Sequence, residues 1–491
     1  MAKDCNSSAH LHPHLVLLFV LSTISTFSVV YWTSQRSPAS PHCYNSPYEY
    51  PHENQTIHLL SFASAWNHLT FSSNPPPKLL KIALFVKKWP HRNLAGGLER
   101  HALTLHHALA MRGHEIHIFT ANSSSSLIHS NANLHFHLTR PTKSGQLNHT
   151  LVWNQLCSEN TTARPFDVFH SESVGLFHSH AANISNLAVS WHGIGYEAIH
   201  SNIVYDLLRN PGEAQHLSIT EILPRVIDEI KFFKDYTHHV ATSDHVGDVL
   251  KRIYMIPDER VHIILNGVDE DVYNVDEDRG REFRKSLGIP EDAGLVIGMA
   301  GRLVKDKGHP LMFEALKQLF EEDETLRNNT YVLVAGDGPW GKRYKELGPG
   351  IVAVGSLEQK QLAKFYKSLD VFVNPTLRAQ GLDHTFQEAM LSGVPVVGTR
   401  FASITGSIIT GEDIRHTFLP TVPSIKNAVR WIWKERQQGR LKESGGRARK
   451  KAVELFTSAK MTLAYERLFL CIWSQTHVNS SLDFCSFSII Q

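Results

Sequence analysis

Residues 81–119 read KIALFVKKWPHRNLAGGLERHALTLHHALAMRGHEIHIF. Ile82-Ala83-Leu84-Phe85-Val86 is a short apolar run, the pattern of a strand buried on both faces of a parallel sheet. After a loop and Gly96-Gly97, the residues Leu98, Ala102, Leu105 and Leu109 recur at helical spacing. Arg112-Gly113-His114 predicts the end of that helix, because glycine takes the left-handed conformation of a C-terminal cap without steric cost. Glu115-Ile116-His117-Ile118-Phe119 then predicts the next strand. A β-loop-α-β unit of this kind makes a right-handed crossover between parallel strands.

The same alternation continues on the C-terminal side. Short apolar runs return at Val168-Phe169, Leu187-Ala188-Val189-Ser190 and His239-Val240-Ala241. A second series follows: Val296-Ile297-Gly298-Met299-Ala300, Tyr331-Val332-Leu333-Val334-Ala335, Val352-Ala353-Val354, Val371-Phe372-Val373 and Val394-Pro395-Val396-Val397. The chain is thus read as α/β, with one Rossmann-like domain at 80–270, a second at 290–455, and a C-terminal helix and tail at 456–491. Two such domains in series make the cleft between them the expected ligand site. A chain of 491 residues fits this division, since single cores stop growing near ~250–300 residues.

On the N-terminal side the composition changes. Residues 15–32 are mostly apolar and carry no Lys, Arg, Asp or Glu, which is just long enough to span a bilayer. We read 1–14 as a short cytosolic tail, 15–32 as an uncleaved transmembrane signal anchor and 33–79 as a proline- and serine-rich stem. Bulky Phe27, Val29, Val30, Tyr31 and Trp32 offer no small-residue cleavage site. Seven Asn-x-Ser/Thr sequons, at Asn54, Asn122, Asn148, Asn160, Asn183, Asn328 and Asn479, all follow the anchor and suggest a body in the secretory lumen. Of five cysteines, Cys43, Cys157, Cys471 and Cys485 allow three pairings. Charge is balanced, with 49 basic and 47 acidic residues, and gives no reason to expect nucleic acid as a partner.

Candidate chemistry sits where strands end. Gly96-Gly97 lie between a strand and a helix, where backbone N–H groups can approach a phosphate. Gly301-Arg302-Leu303-Val304-Lys305-Asp306-Lys307-Gly308 follows a strand directly, and cations there can neutralise a departing diphosphate. Gln380 and Glu388 lie eight apart, and a carboxylate at a helix start can accept hydrogen bonds from ribose hydroxyls. Asp269-Glu270-Asp271 and Asp276-Glu277-Asp278 resemble a metal clamp but read as a solvated acidic linker. The His-x-His and His-His pairs lack partners at metal-site spacing.

The order of Gly96-Gly97-Leu98-Glu99, Trp191-His192-Gly193, Asn266-Gly267-Val268-Asp269, Gly301-Arg302-Leu303 to Lys307-Gly308, Gly336-Asp337-Gly338-Pro339, and Glu388-Ala389-Met390 with Gly393-Val394-Pro395-Val396 resembles the family 4 retaining glycosyltransferases. The resemblance covers about residues 80–470. It implies a GT-B fold, two Rossmann-like domains facing each other across a cleft, with a nucleotide-diphosphate sugar (UDP- or GDP-sugar) as donor and no cofactor or metal. It implies that His192, Arg302 and Lys307 are catalytic. It also implies that Gly96, Gly97, Arg302, Lys307, Gln380, Gly381, Leu382, Asp383 and Glu388 bind the donor, with Glu388 on its ribose. Gln380 stands where the family has a glutamate, and Leu382-Asp383-His384 replaces its Phe-Gly-Leu. Asp383 either restores a carboxylate locally or caps the following helix. With the anchor, the expectation is a single-pass type II Golgi (or endoplasmic reticulum) membrane protein that glycosylates a glycan, lipid or protein-linked acceptor. The alternative is a non-catalytic GT-B protein that binds a nucleotide sugar or scaffolds a synthase complex.

Overall fold

The computed structural model describes residues 55–90, 96–121, 131–143, 146–162, 164–209, 212, 218–477 and 482–489. A short strand, β1 (Gln55–His58), comes first. The first lobe is a seven-stranded sheet of β2 (Lys81–Lys88), β3 (Glu115–Ala121), β4 (Leu134–Thr139), β5 (Val168–Glu172), β6 (Leu187–Trp191), β7 (His238–Ala241) and β8 (Val261–Ile263), in the order β4-β3-β2-β5-β6-β7-β8. The second is a six-stranded sheet of β9 (Leu295–Ala300), β10 (Thr330–Ala335), β11 (Ile351–Gly355), β12 (Val371–Asn374), β13 (Val396–Thr399) and β14 (Thr417–Phe418), in the order β11-β10-β9-β12-β13-β14. Every pairing within both sheets is parallel.

Strand β2 shows why its sequence is a continuous apolar run. Alternate side chains feed two different cores: Ile82, Leu84 and Val86 pack with Leu105 and Leu109 of the Gly97–Met111 helix, and Ala83 and Phe85 pack with Phe119 and Phe169. Both faces are covered, so no polar alternation is possible. The helix ends where the glycine predicts, with Gly113 at φ 98. In each sheet the connection reverses direction beside the founding strand, between β2 and β5 and between β9 and β12. Crevices outside the carboxyl ends of strands at such switch points are where open α/β sheets bind ligands.

The C-terminal helices divide between the lobes. Val422–Gln437 packs against the helix His309–Glu322 of the second lobe, and Leu441–Leu455 against the helix His384–Leu391. The last helix, Ser458–Thr476, crosses back and packs on Gly97–Met111. Glu466 anchors it there, accepting from Arg112 Nε at 2.6 Å and Nη2 at 2.8 Å, with His114 Nε2 at 2.8 Å. At the crossing, Val268 N donates to Phe456 O at 3.0 Å and Ser458 N donates to Val268 O at 2.9 Å. A Cβ on Gly267 would lie 2.4 Å from the Thr457 carbonyl oxygen, so this close approach requires glycine.

Residues 57–79, expected to belong to a stem, are folded against the first lobe. Trp66 is fully buried with its ring edge-on to His262, and Asn67 Oδ1 accepts from Leu265 N at 2.8 Å. Cys471 and Cys485 form a disulfide, Cys157 is exposed and free, and β15 (Ser486–Ile489) pairs with β1. Cys5 and Cys43, the expected tail at 1–14, the anchor at 15–32 and residues 33–54 lie outside the described residues. Among the described residues, no helix is long and apolar enough to cross a membrane.

Candidate active site

A cavity of about 480 Å³ opens where strand ends of the two lobes meet. Lys87 at the end of β2, Ser173 after β5 and His192 after β6 line it from the first lobe. Arg302 after β9, Lys307, and Arg378, Gln380, Gly381, Leu382, Asp383 and His384 after β12 line it from the second. Gly97, the first residue of its helix, is also in the wall, and Gly96 is the N-cap beside it. Glycine is needed at Gly381, where a Cβ would come 2.6 Å from Thr242 Oγ1 of the other lobe.

The second-lobe wall is a cation set among polar groups. Lys307 ends a short turn that Gly308, at φ 76, closes against the Pro375 carbonyl. Its Nζ donates to Gln380 Oε1 at 2.9 Å and to Asp383 Oδ2 at 3.0 Å. Asp383 Oδ2 also accepts from Gln380 Nε2 at 2.5 Å and Asn374 Nδ2 at 3.1 Å. Its Oδ1 caps the His384–Leu391 helix, accepting from Thr385 N at 3.1 Å and Thr385 Oγ1 at 3.0 Å. Asp383 is therefore both a cap and a local carboxylate. Burial opposes its ionisation, but the Lys307 ammonium and the Thr385 donors outweigh it and hold it well below the usual carboxylate range. Arg302 differs: its side chain is 65% exposed and, among the described residues, its only ion pair is a 3.7 Å contact with Asp306, leaving it free to move onto a ligand.

The first-lobe wall is built on Glu172, the last residue of β5 and fully buried. Its Oε2 accepts from His192 Nε2 at 2.5 Å and its Oε1 from His101 Nδ1 at 3.1 Å. These three residues could in principle hold a metal ion, since their donor atoms lie within 4.8 Å of one another. Their mutual hydrogen bonds already use those atoms. The acidic runs are also committed elsewhere: Asp269 Oδ1 accepts from Asp271 N at 3.0 Å, Glu270 Oε2 from Ser458 Oγ at 2.7 Å, and Asp276 Oδ1 from Arg279 N at 3.1 Å.

Residues 95–272 match the family described as Glycosyltransferase Family 4, and residues 294–434 match Glycosyl transferases group 1. These two matches meet across the cavity. The chain is a group 1 glycosyltransferase of the GT-B fold. It is 24% identical over 359 residues to an uncharacterized glycosyltransferase of the archaeon Methanocaldococcus jannaschii, covering 69% of this chain and 83% of that protein. It is 26% identical over 355 residues to D-inositol 3-phosphate glycosyltransferase 2 of the bacterium Catenulispora acidiphila, covering 68% of this chain and 81% of that one. A sucrose-phosphate synthase from Thermosynechococcus elongatus shares the fold at TM-score 0.62 and 16% identity, over 82% of this chain and 100% of the other. These findings correct the expected location. The relatives come from archaea and bacteria, cells without a Golgi or endoplasmic reticulum. A type II Golgi protein does not fit them.

In this glycosyltransferase Glu388 lies behind the cavity wall rather than in it. It is 1% exposed, pairs with Arg100 Nη1 of the first lobe, and accepts from Tyr366 Oη at 2.8 Å. Burial raises its pKa and the Arg100 guanidinium opposes that rise. A second ion pair also joins the lobes: Arg378 Nε donates to Glu197 Oε2 at 3.1 Å, while Gly381 N donates to Oε1 at 3.2 Å. Burial pushes the Glu197 carboxyl up to about 7 against the pull of Arg378. His384 is also in the wall, pushed down to about 3 by burial and by nearby Arg100, His101 and His192. Sequence reasoning missed Arg100, Glu172, Glu197, Arg378 and His384 as site residues. The one available signal was position, since each lies within a few residues of a glycine motif or a strand end.

Proposed function

We propose that this glycosyltransferase retains anomeric configuration, moving a hexosyl or pentosyl group from a UDP- or GDP-sugar to a glycan, lipid or protein-linked acceptor. The observation that carries the reading is the convergence of Arg302, Lys307, Gln380 and His192 on one cavity at the switch points of both sheets. Arg302 and Lys307 take the donor diphosphate, with the Gly97 backbone close to the phosphates. Gln380 contacts a donor-sugar hydroxyl, and His192 lines the sugar. Glu388 acts from behind the wall by holding Arg100 rather than by offering a free carboxylate to the ribose.

For a retaining transfer, the way the cavity carboxylates are used bears on the route. The carboxylates lining it are Glu229 and Asp383. Glu229 Oε1 accepts from Gly195 N and Tyr254 Oη, both at 2.7 Å, and Asp383 accepts five hydrogen bonds. Neither is placed as a free nucleophile. With retention, the acceptor oxygen then bonds to the anomeric carbon on the face where the bond to the diphosphate oxygen breaks. That bond's electron pair goes to the leaving diphosphate, which takes the acceptor's proton. Arg302 and Lys307 meet the growing charge. Screening UDP- and GDP-sugars for transfer and slow hydrolysis tests this, with the product anomer read by NMR. Arg302→Ala should cut turnover ~10²–10³-fold without unfolding. An inverted product, or near-normal turnover in that variant, would overturn the reading.

A further inference from the structure

We propose that Glu172 is a positioning residue that fixes the tautomer of His192, presenting the ring's Nδ1 lone pair to the cavity as an acceptor for a hydroxyl of the bound sugar or its acceptor. That the cavity takes a sugar rests on the proposed function. The positioning itself rests on geometry. His192 follows β6 and Glu172 ends β5, and the two strands pair directly, so the carboxylate and the imidazole leave neighbouring strand ends side by side. An ionised carboxylate only accepts. With Oε2 at 2.5 Å from His192 Nε2, the proton sits on Nε2. Nδ1 is then the unprotonated ring nitrogen, and His192 is in the cavity wall.

The other oxygen is held in the same way. Its 3.1 Å contact with His101 Nδ1 puts that proton on Nδ1, and His101 Nε2 is buried without a partner among the described residues. A buried ring nitrogen without a partner is tolerable only unprotonated, which agrees with the lowered pKa that burial gives His101. Glu172 therefore receives one N–H from each side, and its two contacts restrict it to one rotamer. The titratable groups facing it are His101 and His106 on the Gly97–Met111 helix, His170 on β5, His192 after β6, and Tyr465 on the last helix. His384 approaches His101 and His192 from the second lobe. Burial pushes His101, His106, His170 and His384 down, so these rings are neutral near pH 7. Burial would raise the Glu172 carboxyl too, but His101 and His192 outweigh it and keep it ionised. The carboxylate thus brings the negative charge to this group of rings, and orientation of a histidine by a carboxylate fixes which nitrogen serves the ligand.

The experiment uses the full chain with 15N-labelled histidine, assigning the His192 signals by their loss in His192→Gln. The expected spectrum shows His192 protonated on Nε2. In Glu172→Gln the amide can donate, and the population should move to the Nδ1–H form. Turnover is measured with UDP-glucose or GDP-mannose, whichever the wild type consumes. Glu172→Gln should lower it ~10–100-fold, by analogy with the carboxylates that orient metal-binding histidines. Glu172→Asp, which keeps an acceptor-only carboxylate, should restore the Nε2–H form in part, and thermal melts confirm that each variant is folded. An Nδ1–H tautomer in the wild type, or an unchanged tautomer in Glu172→Gln, would overturn the inference. If neither sugar nucleotide is consumed while the tautomer responds to Glu172→Gln, the functional reading falls and the positioning role stands.

Discussion

Replacing Arg100 by alanine removes the cation from an ion pair that joins the two lobes. Its partner Glu388 is 1% exposed and Arg100 27%, so the variant leaves a buried carboxylate without its countercharge. Breaking a buried pair from one side costs about 3–5 kcal/mol, mostly the penalty of the stranded charge. The partial exposure of Arg100 places the cost near the lower end, about 3 kcal/mol. In a chain of this size each kcal/mol lowers Tm by about 1 °C, so the expected shift is about 3 °C. The loss should deepen as pH rises, because burial already raises the Glu388 pKa and its ionised form must then persist without Arg100. Differential scanning calorimetry of Arg100→Ala, Glu388→Gln and the double variant gives the cycle. A glutamine can still accept from Tyr366 Oη, which donates to Glu388 at 2.8 Å, so the double variant should recover most of the loss. A shift under 1 °C in Arg100→Ala, or simple additivity of the two changes, would refute the reasoning.

Gln380→Glu would set a second carboxylate against Asp383 Oδ2, now 2.5 Å from the Gln380 amide nitrogen. It should lower stability and alter donor preference, and adding Asp383→Gly should recover stability; a donor panel and thermal melts on both variants check this. Glu197 has a folded pKa of about 7, raised from 4.5, so the native state binds that proton more tightly than the unfolded chain. Its contribution to stability is present below about 4.5 and is lost as pH rises through about 7, and Glu197→Gln should flatten the Tm profile across that window. The proposed chemistry meets the leaving group with Arg302 and Lys307, so EDTA should leave transfer intact; loss of activity that added divalent metal restores would contradict it.

What the sequence made legible was local. The apolar runs that became β2 and β9 had to be buried on both faces, and the glycine motifs had to sit where strands meet helices. Strand β4 escaped notice because histidines alternate through Leu134–Thr139 at the sheet edge, and β8 is only three residues long. The segment at 55–79 looks unstructured by its prolines and serines, yet Trp66 and Asn67 are buried by residues far along the chain. The same limit applies to the site. Lys307, Gln380 and Asp383 lie within reach of one motif pair. The pairs Arg378–Glu197 and Arg100–Glu388 join residues 181 and 288 positions apart, and no spacing rule predicts them. Helical periodicity likewise marks 458–476 as a helix without saying which lobe receives it.

The return of that last helix has a mechanical consequence. The chain passes between the lobes at Val268 and again at Thr457, and the two passages are hydrogen-bonded side by side. One connecting strand would act as a swivel, free to bend and twist. Two strands tied in parallel resist torsion and leave bending about the single axis that keeps both bonds, as a door turns on its pins. Opening and closing of the cavity should then follow one repeatable arc. Arg302 and His192, on opposite leaves, would meet in the same register at every closure.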